Sequence, residues 1–422
     1  MHSLFNPESV AVIGASDNPS KLGYHVMKSL VNGGFKGTLI PVNPKADEIF
    51  GFKAWESISA SSTPIDLAIV VVPANRVSAV FKECAENNVK GIVLITAGFK
   101  EIDDPAGAVL HDEIARIVNE AGIPVIGPNT FGMMNLCANL NASFTPEFSR
   151  LKPGNVALVS QSGGISHLLG FLAMRDGVGF SKIVGLGNRL NVDFAEMVDY
   201  LLEDPDTRAI ALYIEGIDTP GNLLAAAGRH AGKKPIVAFK TGSGAVGDVA
   251  ARSHTGSLAG RHEIYTHAFK QAGILTVDST QALLDTAKAL AACPPPAGPG
   301  VAVLSGQAGP SMAACDVCEQ RGLEIARFST ITQTRINELL PPLALRTNPV
   351  DMGPAWYDSD AIKGIVQAVM EDENVHGILF LMMFASANVD ALAGIGGLLK
   401  QWAQKKPVVS CILSPPGIWD DQ

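Results

Sequence analysis

The stretch Ala251-Arg252-Ser253-His254-Thr255-Gly256-Ser257-Leu258-Ala259-Gly260 holds one imidazole among small or hydroxylated neighbours. A core histidine lies on an apolar helix or strand face, whereas His254, flanked by Ser253, Thr255 and Gly256, lies in what reads as a flexible loop. Near neutral pH an imidazole is largely unprotonated, so it can attack phosphorus or accept a proton. The other reading is a loop histidine that hydrogen-bonds to backbone. A second chemical feature is Ser160-Gln161-Ser162-Gly163-Gly164, which opens a helical stretch running to about Arg175. Ser160 and Ser162 can cap that helix. Gly163 and Gly164 let an anion approach its free N–H groups without a local cation, although the same pattern is also simply a good N-cap. Glu215 ends the apolar run Ala209 to Ile214, where a carboxylate can hold a histidine by its ring N–H or merely be solvated.

Near the N-terminus the run Val10 to Ile13 leads into Gly14, Ala15 and Ser16, then Lys21 and Gly23 at a helix start. A glycine loop before a helix suits a phosphate or pyrophosphate. The spacing is not G-x-G-x-x-G. The next strand, Thr38 to Val42, ends in Asn43-Pro44-Lys45, where a nicotinamide site would carry an acidic residue for the ribose. Lys45 suits a ligand with an extra phosphate, such as NADP or coenzyme A. Later strand ends deliver Val72, Pro73 and Ala74, then Thr96, Ala97 and Gly98, then Gly127-Pro128-Asn129. These loops are expected to line one crevice at the carboxyl edge of a sheet; as turn residues alone they would need no ligand.

The elements that must position these groups repeat. Val10–Gly14, Val156–Ser160 and Val301–Ser305 are each a short apolar strand leading to a Gly/Ser loop and a helix. Three such units predict three consecutive α/β domains with mainly parallel sheets: 1–150, 151–293 and 300–422, the last boundary falling in the proline-rich stretch Cys293 to Gly300. Apolar residues make up 47% of the 422, which is enough for large cores, and charged residues only 17%. The net charge of −9 argues against nucleic acid, which a basic surface would attract. No apolar run reaches transmembrane length and the start lacks a signal-peptide pattern, so a cytoplasmic protein with no membrane association is expected. Six cysteines in this length do not suggest a disulfide framework, and the single Cys315-x-x-Cys318 reads as helix packing; no metal site is expected.

With these motifs in place the chain resembles the NDP-forming acyl-CoA synthetases, specifically the α subunit or α-like half of ADP-forming acetate–CoA ligases in the succinyl-CoA synthetase superfamily. Ser253 to Gly260 matches that family's phosphohistidine loop, Val159 to Gly164 its phosphate-binding helix start, and Gly127-Pro128-Asn129 its crevice loop. Asn348-Pro349-Val350-Asp351 matches a signature of its third domain. The resemblance implies a Rossmann-like CoA-binding domain, a succinyl-CoA-synthetase-like domain with the phosphohistidine loop, and a flavodoxin-like ligase-CoA-type domain, possibly incomplete. It implies His254 and Glu215 as catalytic residues, and Ser160, Ser162, Gly163, Gly164, Ser253, Thr255 and Gly256 around phosphate. Coenzyme A would lie along Gly14, Ala15, Ser16, Lys21, Gly23, Asn43, Lys45, Val72, Pro73, Ala74, Thr96, Ala97, Gly98 and Asn129. ADP or ATP with Mg would sit on an ATP-grasp β subunit or fused β domain, in a hetero-oligomer such as α2β2, with acyl-CoA, phosphate and a carboxylic acid as reactants. Relatives often carry Cys or Ser at Thr130, so no covalent role is assigned there. A CoA- or acyl-CoA-sensing module without turnover is the competing reading. An NADP-dependent oxidoreductase is permitted by Lys45 but disfavoured by the missing G-x-G-x-x-G and the two extra domains.

Overall fold

Strands buried on both faces read as unbroken apolar runs, and here they assemble into parallel sheets. In the computed structural model, described for residues 1–229, 232–244, 262–342 and 344–419, Ser9–Ile13, Leu67–Val70 and Gly91–Leu94 are buried at every position. The first sheet has the order Thr38–Val42, Ser9–Ile13, Leu67–Val70, Gly91–Leu94, Val125–Ile126, all parallel. Its crossover helices include Leu22–Gly33, Ala74–Glu86 and Pro105–Ala121. Asp104 caps the last of these by accepting from the Ala106 N–H, with Pro105 behind it and left-handed Gly122 at its end.

A second sheet of seven strands follows. Its order is Ile274–Val277, Ile236–Lys240, Ala209–Ile214, Pro153–Ser160, Phe180–Gly185, Gly132–Asn135, Leu140–Ser143. Five strands are parallel, and the hairpin Gly132–Ser143 adds two antiparallel ones. The expected boundary near residue 150 therefore does not separate the two sheets. Residues 132–143 lie before it in sequence and pair with Phe180–Gly185 after it, and both sheets belong to one compact unit, Met1–Ala291. The physical reason is that Met133, Met134, Leu140 and Ala142 are buried between elements of both halves.

The second compact unit is Ala292–Gln422. Its parallel sheet runs Glu324–Ile325, Gly300–Ser305, Gly377–Met383, Val408–Leu413, with Val350–Asp351 beside Leu304 and Ser305. The Asn348 side chain stitches this sheet: its Nδ2 donates to the carbonyls of Val301 (2.8 Å) and Ala326 (3.0 Å), and its Oδ1 accepts from the Val303 N–H (2.9 Å). That gives the Asn-Pro-Val-Asp signature a structural role. The edge strand Val408–Leu413 is exposed along most of its length. On helix Ala308–Gln320, Cys318 is buried and Cys315 half-buried, and desolvation pushes both thiols up. Among the described residues no cluster of three metal-ligating side chains occurs, and no helix is long and apolar enough to cross a membrane.

Candidate active site

The carboxyl ends of the first two sheets meet around a cavity of about 450 Å³ in the Met1–Ala291 unit. One wall is the start of helix Gly163–Asp176. Ser162 is its cap, accepting from the Ile165 N–H at 3.3 Å. Ser160 is fully buried; its hydroxyl accepts from the Ser162 N–H (3.1 Å) and donates to the Ser162 carbonyl (2.9 Å), which sets the turn. Gly163 and Gly164 follow, and the N–H groups of a helix's first turn have no intrahelical partner. An added Cβ at either glycine would meet no protein atom closer than 3.9 Å. Packing therefore does not require glycine at these two positions, and both line the cavity.

Gln161, part of the quoted motif but given no role from sequence, joins this helix start to the end of strand Ala209–Ile214. Its Oε1 accepts from the N–H groups of Glu215 (2.6 Å) and Gly216 (3.1 Å), and its Nε2 donates to the Gly216 carbonyl (2.8 Å). Glu215 is thereby held, 7% exposed, in the same cavity wall as Ser162. Burial first, and then the Glu215 charge, push the neighbouring Tyr213 phenol up.

The loop at 127–131 forms the opposite wall and fastens the two sheets together. The Asn129 N–H donates to the Thr96 carbonyl, and the Asn188 and Leu190 N–H groups donate to the carbonyls of Pro128 and Gly127, each at 2.9 Å. The Thr130 hydroxyl donates to the Gly185 carbonyl (2.6 Å) and accepts from the Gly132 N–H (3.0 Å). Both capacities of this buried oxygen are filled by backbone, which makes it a structural tie. Ala97, Asn129, Ser162, Gly163, Gly164 and Glu215 of the sequence-predicted set thus converge on one cavity.

Three polar cavity residues carried no signal in sequence. His167, one turn into the helix, has its Nδ1 2.7 Å from the Gly163 carbonyl and its Nε2 2.7 Å from the Thr145 hydroxyl, among Phe131, Phe144 and Phe148. Asn188 and Arg189 come from the loop after strand Phe180–Gly185, with Arg189 in the left-handed region (φ 55°). The Arg189 guanidinium lies 3.3 Å from an Asp193 carboxylate oxygen and 3.0 Å from one of Asp218. A cation is therefore present in the wall where sequence suggested none, with two carboxylates offsetting its charge. Burial raises the Asp193 carboxyl, and the Arg189 charge opposes that rise.

The remaining first-sheet residues form a strip at the sheet edge outside the cavity lining. Asn43 Nδ2 donates to the Ala15 carbonyl (2.8 Å), Asn43 Oδ1 accepts from the Lys45 N–H (3.0 Å), and Thr96 Oγ1 donates to the Val72 carbonyl (2.7 Å). Ser16 is half-buried, Lys21 and Lys45 are exposed, and Pro73 precedes helix Ala74–Glu86. Gly14 and Gly23 are required by packing: a Cβ on Gly23 would stand 2.0 Å from the Gly14 carbonyl oxygen, and one on Gly14 2.8 Å from that of Val71. Gly98 lies close to Ala74 at the same edge. Ser253, His254, Thr255 and Gly256 lie outside the described residues.

Two family models match the chain: a CoA binding domain over residues 8–135 and a succinyl-CoA ligase like flavodoxin domain over residues 153–290. The chain is 38% identical over 416 residues to the acetate–CoA ligase (ADP-forming) II subunit alpha of Pyrococcus furiosus, covering 97% of this chain and 89% of that one. It is 39% identical to the acetate–CoA ligase (ADP-forming) I of Archaeoglobus fulgidus, covering 93% of this chain but only 56% of that protein. Among solved structures, a Ca. Korarchaeum cryptofilum dinucleotide forming acetyl-coenzyme A synthetase 1 in complex with phosphate and ADP superposes with a TM-score of 0.92 at 34% identity, over 98% of this chain and 89% of that one.

Proposed function

Because the chain belongs to the ADP-forming acyl-CoA synthetase α family, we propose that it is the α component of an NDP-forming acyl-CoA synthetase. It interconverts acyl-CoA, phosphate and ADP with carboxylic acid, CoA and ATP. The observation that carries this reading is the shared cavity, which presents an open helix N-terminus at Ser162–Gly164, a carboxylate at Glu215 and the crevice loop at Asn129. Residues 1–150 hold CoA, with its phosphates near Gly14 to Gly23 and Lys45. Residues 151–293 carry the phosphoryl chemistry, and 300–422 form the third, ligase-CoA-type domain.

The reaction divides into three transfers. A phosphate oxygen, its charge held by the N–H groups of Gly163 and Gly164, attacks the thioester carbonyl; the C–S bond breaks, giving acyl phosphate and free CoA. The unprotonated His254 nitrogen then attacks phosphorus, and the P–O bond to the acyl group breaks to release the carboxylate. Glu215 accepts the other ring N–H and so fixes the tautomer. Finally the small residues around His254 let the loop carry the phosphoryl group to ADP on an ATP-grasp β subunit or domain, which also holds Mg. A hetero-oligomer such as α2β2 follows from this division of labour.

The test is reconstitution. The purified chain is expected to exchange phosphate with an acyl phosphate yet form no ATP from ADP, and adding an ATP-grasp β subunit is expected to restore ATP formation. Robust ATP synthesis by the chain alone contradicts the proposal.

A further inference from the structure

Glu101 has no part in these transfers and does not line the cavity, yet its carboxylate anchors a hydrogen-bond chain that ends in the cavity wall. Its Oε1 accepts from the Gly98 N–H at 2.5 Å, and its Oε2 accepts from the Phe99 N–H at 3.2 Å and from Asn188 Nδ2. An ionised carboxylate only accepts hydrogen bonds. Asn188 must therefore turn its NH₂ toward Glu101 and its carbonyl oxygen the other way. That oxygen meets Asn129, whose Nδ2 donates to it at 3.4 Å. The direction of both amides is set by the acceptor at the far end of the chain.

The backbones of both asparagines are already pinned, Asn129 to Thr96 and Asn188 to Pro128. What remains adjustable is which amide atom each side chain shows to the cavity both of them line. We propose that Glu101 is a positioning residue: through Asn188 it orients the Asn129 amide so that its second N–H serves an oxygen of the acyl or phosphoryl group in the cavity. The inference rests on the acyl-transfer reading above. It links loops from both sheets, 98–101 and 187–189, to the crevice loop, so orientation at the reacting centre depends on a residue 87 positions from Asn188 in sequence. Held orientation of this kind acts on turnover more than on ground-state binding.

A donor–acceptor swap tests it. Glu101→Gln replaces one acceptor by an NH₂, which must face either the Gly98 N–H or the Phe99 N–H and the Asn188 NH₂, so the hold on Asn188 is weakened; Asn188→Asp places a second carboxylate against Glu101. The double variant restores the link between the two side chains, because the introduced glutamine NH₂ can donate to the introduced aspartate while its carbonyl oxygen still accepts from the Gly98 N–H, leaving only the longer Phe99 contact unmade. The assay uses the chain with its ATP-grasp partner and whichever of acetyl-, butyryl- or phenylacetyl-CoA the wild type cleaves fastest. Each single variant is expected to lose about tenfold or more in kcat, or about 1.4 kcal/mol, with the acyl-CoA KM within about twofold. The double variant is expected to recover to within about threefold of wild type, a coupling that non-interacting sites do not show. A Glu101→Gln kcat within about twofold of wild type overturns the proposal. So does a double variant no better than the singles, for whatever reason, and this holds even if a single variant fails to fold. A wild type that cleaves none of the three and binds no CoA removes the functional reading itself, which separates the two failures.

Discussion

Replacing Gly163 or Gly164 by alanine separates anion binding from stability, because the two are expected to move in opposite directions. At either position the added methyl meets nothing closer than 3.9 Å, and neither residue has a positive φ. Alanine is therefore compatible with the fold, and it restricts the unfolded chain, a gain of roughly 0.4–1 kcal/mol. For a unit the size of residues 1–291 the unfolding entropy is about 0.6 kcal/mol/K, from ~2.1 cal/mol/K per residue, so Tm rises by roughly 1–2 °C. Helical Cα–Cβ bonds tilt toward the N-terminus, which puts the methyl over the N–H groups where an oxyanion would sit. Losing one bond to a charged oxygen costs about 1.5–3 kcal/mol, or roughly 10- to 150-fold in affinity. Scanning calorimetry reads the first effect; titration with inorganic phosphate and phosphate-dependent thiol release from acyl-CoA read the second. Gly154→Ala, in strand Pro153–Ser160 and outside the assigned sites, is the control with the reverse profile: its Cβ falls 2.3 Å from the Gly179 carbonyl carbon, costing roughly 1–3 kcal/mol or more, with phosphate affinity of the folded protein unchanged. If both helix-start variants bind phosphate and turn over like wild type, the anion does not sit on this helix.

Lys45→Ala is expected to leave Tm unchanged and weaken CoA binding about two- to fivefold in calorimetry, since an exposed charge pair contributes less than about 1 kcal/mol; NAD should bind poorly, and equal affinity for NAD and CoA counts against the assignment. Gln161→Leu leaves the Glu215 and Gly216 N–H groups buried without their acceptor, so denaturant titration should show a loss of about 2–5 kcal/mol, with phosphoryl transfer falling in the folded fraction. His111 is buried, its Nδ1 has no partner among the described residues, and burial foremost, then the Lys100 charge, pull its pKa from 6.5 to about 4. The unfolded chain then takes up a proton that the folded one resists, so this contribution is full above about pH 6.5 and is lost as pH falls toward 4. By pH 4.5 the loss is roughly 2–3 kcal/mol, and His111→Phe should flatten that acid slope.

The parallel strands were legible because burial on both faces leaves unbroken apolar runs: Val10 to Ile13 and Val301 to Leu304 are buried at every position. The helix start at Ser162 was legible for a local reason, since its cap contact spans three residues. The hairpin Gly132–Ser143 was not, because Gly-Met-Met-Asn carries no strand alternation, Leu-Asn-Ala-Ser alternates over only four residues, and the pair joins the second sheet only through Phe180–Gly185. Val408–Leu413 is mostly apolar in composition yet forms an exposed edge, a fact set by its neighbours. Arg189, Asn188 and Glu101 escaped notice because their roles depend on tertiary approach, through a left-handed backbone at Arg189 and a contact 87 residues long. Ser160 shows the converse: its motif was recognised, but burial makes it a builder of the loop whose hydroxyl is engaged by Ser162.

In the proposed reaction His254 carries the phosphoryl group between the acyl site and the nucleotide. The most direct test of that step is mass spectrometry of the chain after incubation with labelled acyl phosphate, or with labelled ATP and the β subunit. One acid-labile, base-stable phosphate is expected on the peptide containing His254, absent from His254→Ala. Label at the wild-type level in His254→Ala, or none on the wild-type chain while acyl-CoA turns over, contradicts it.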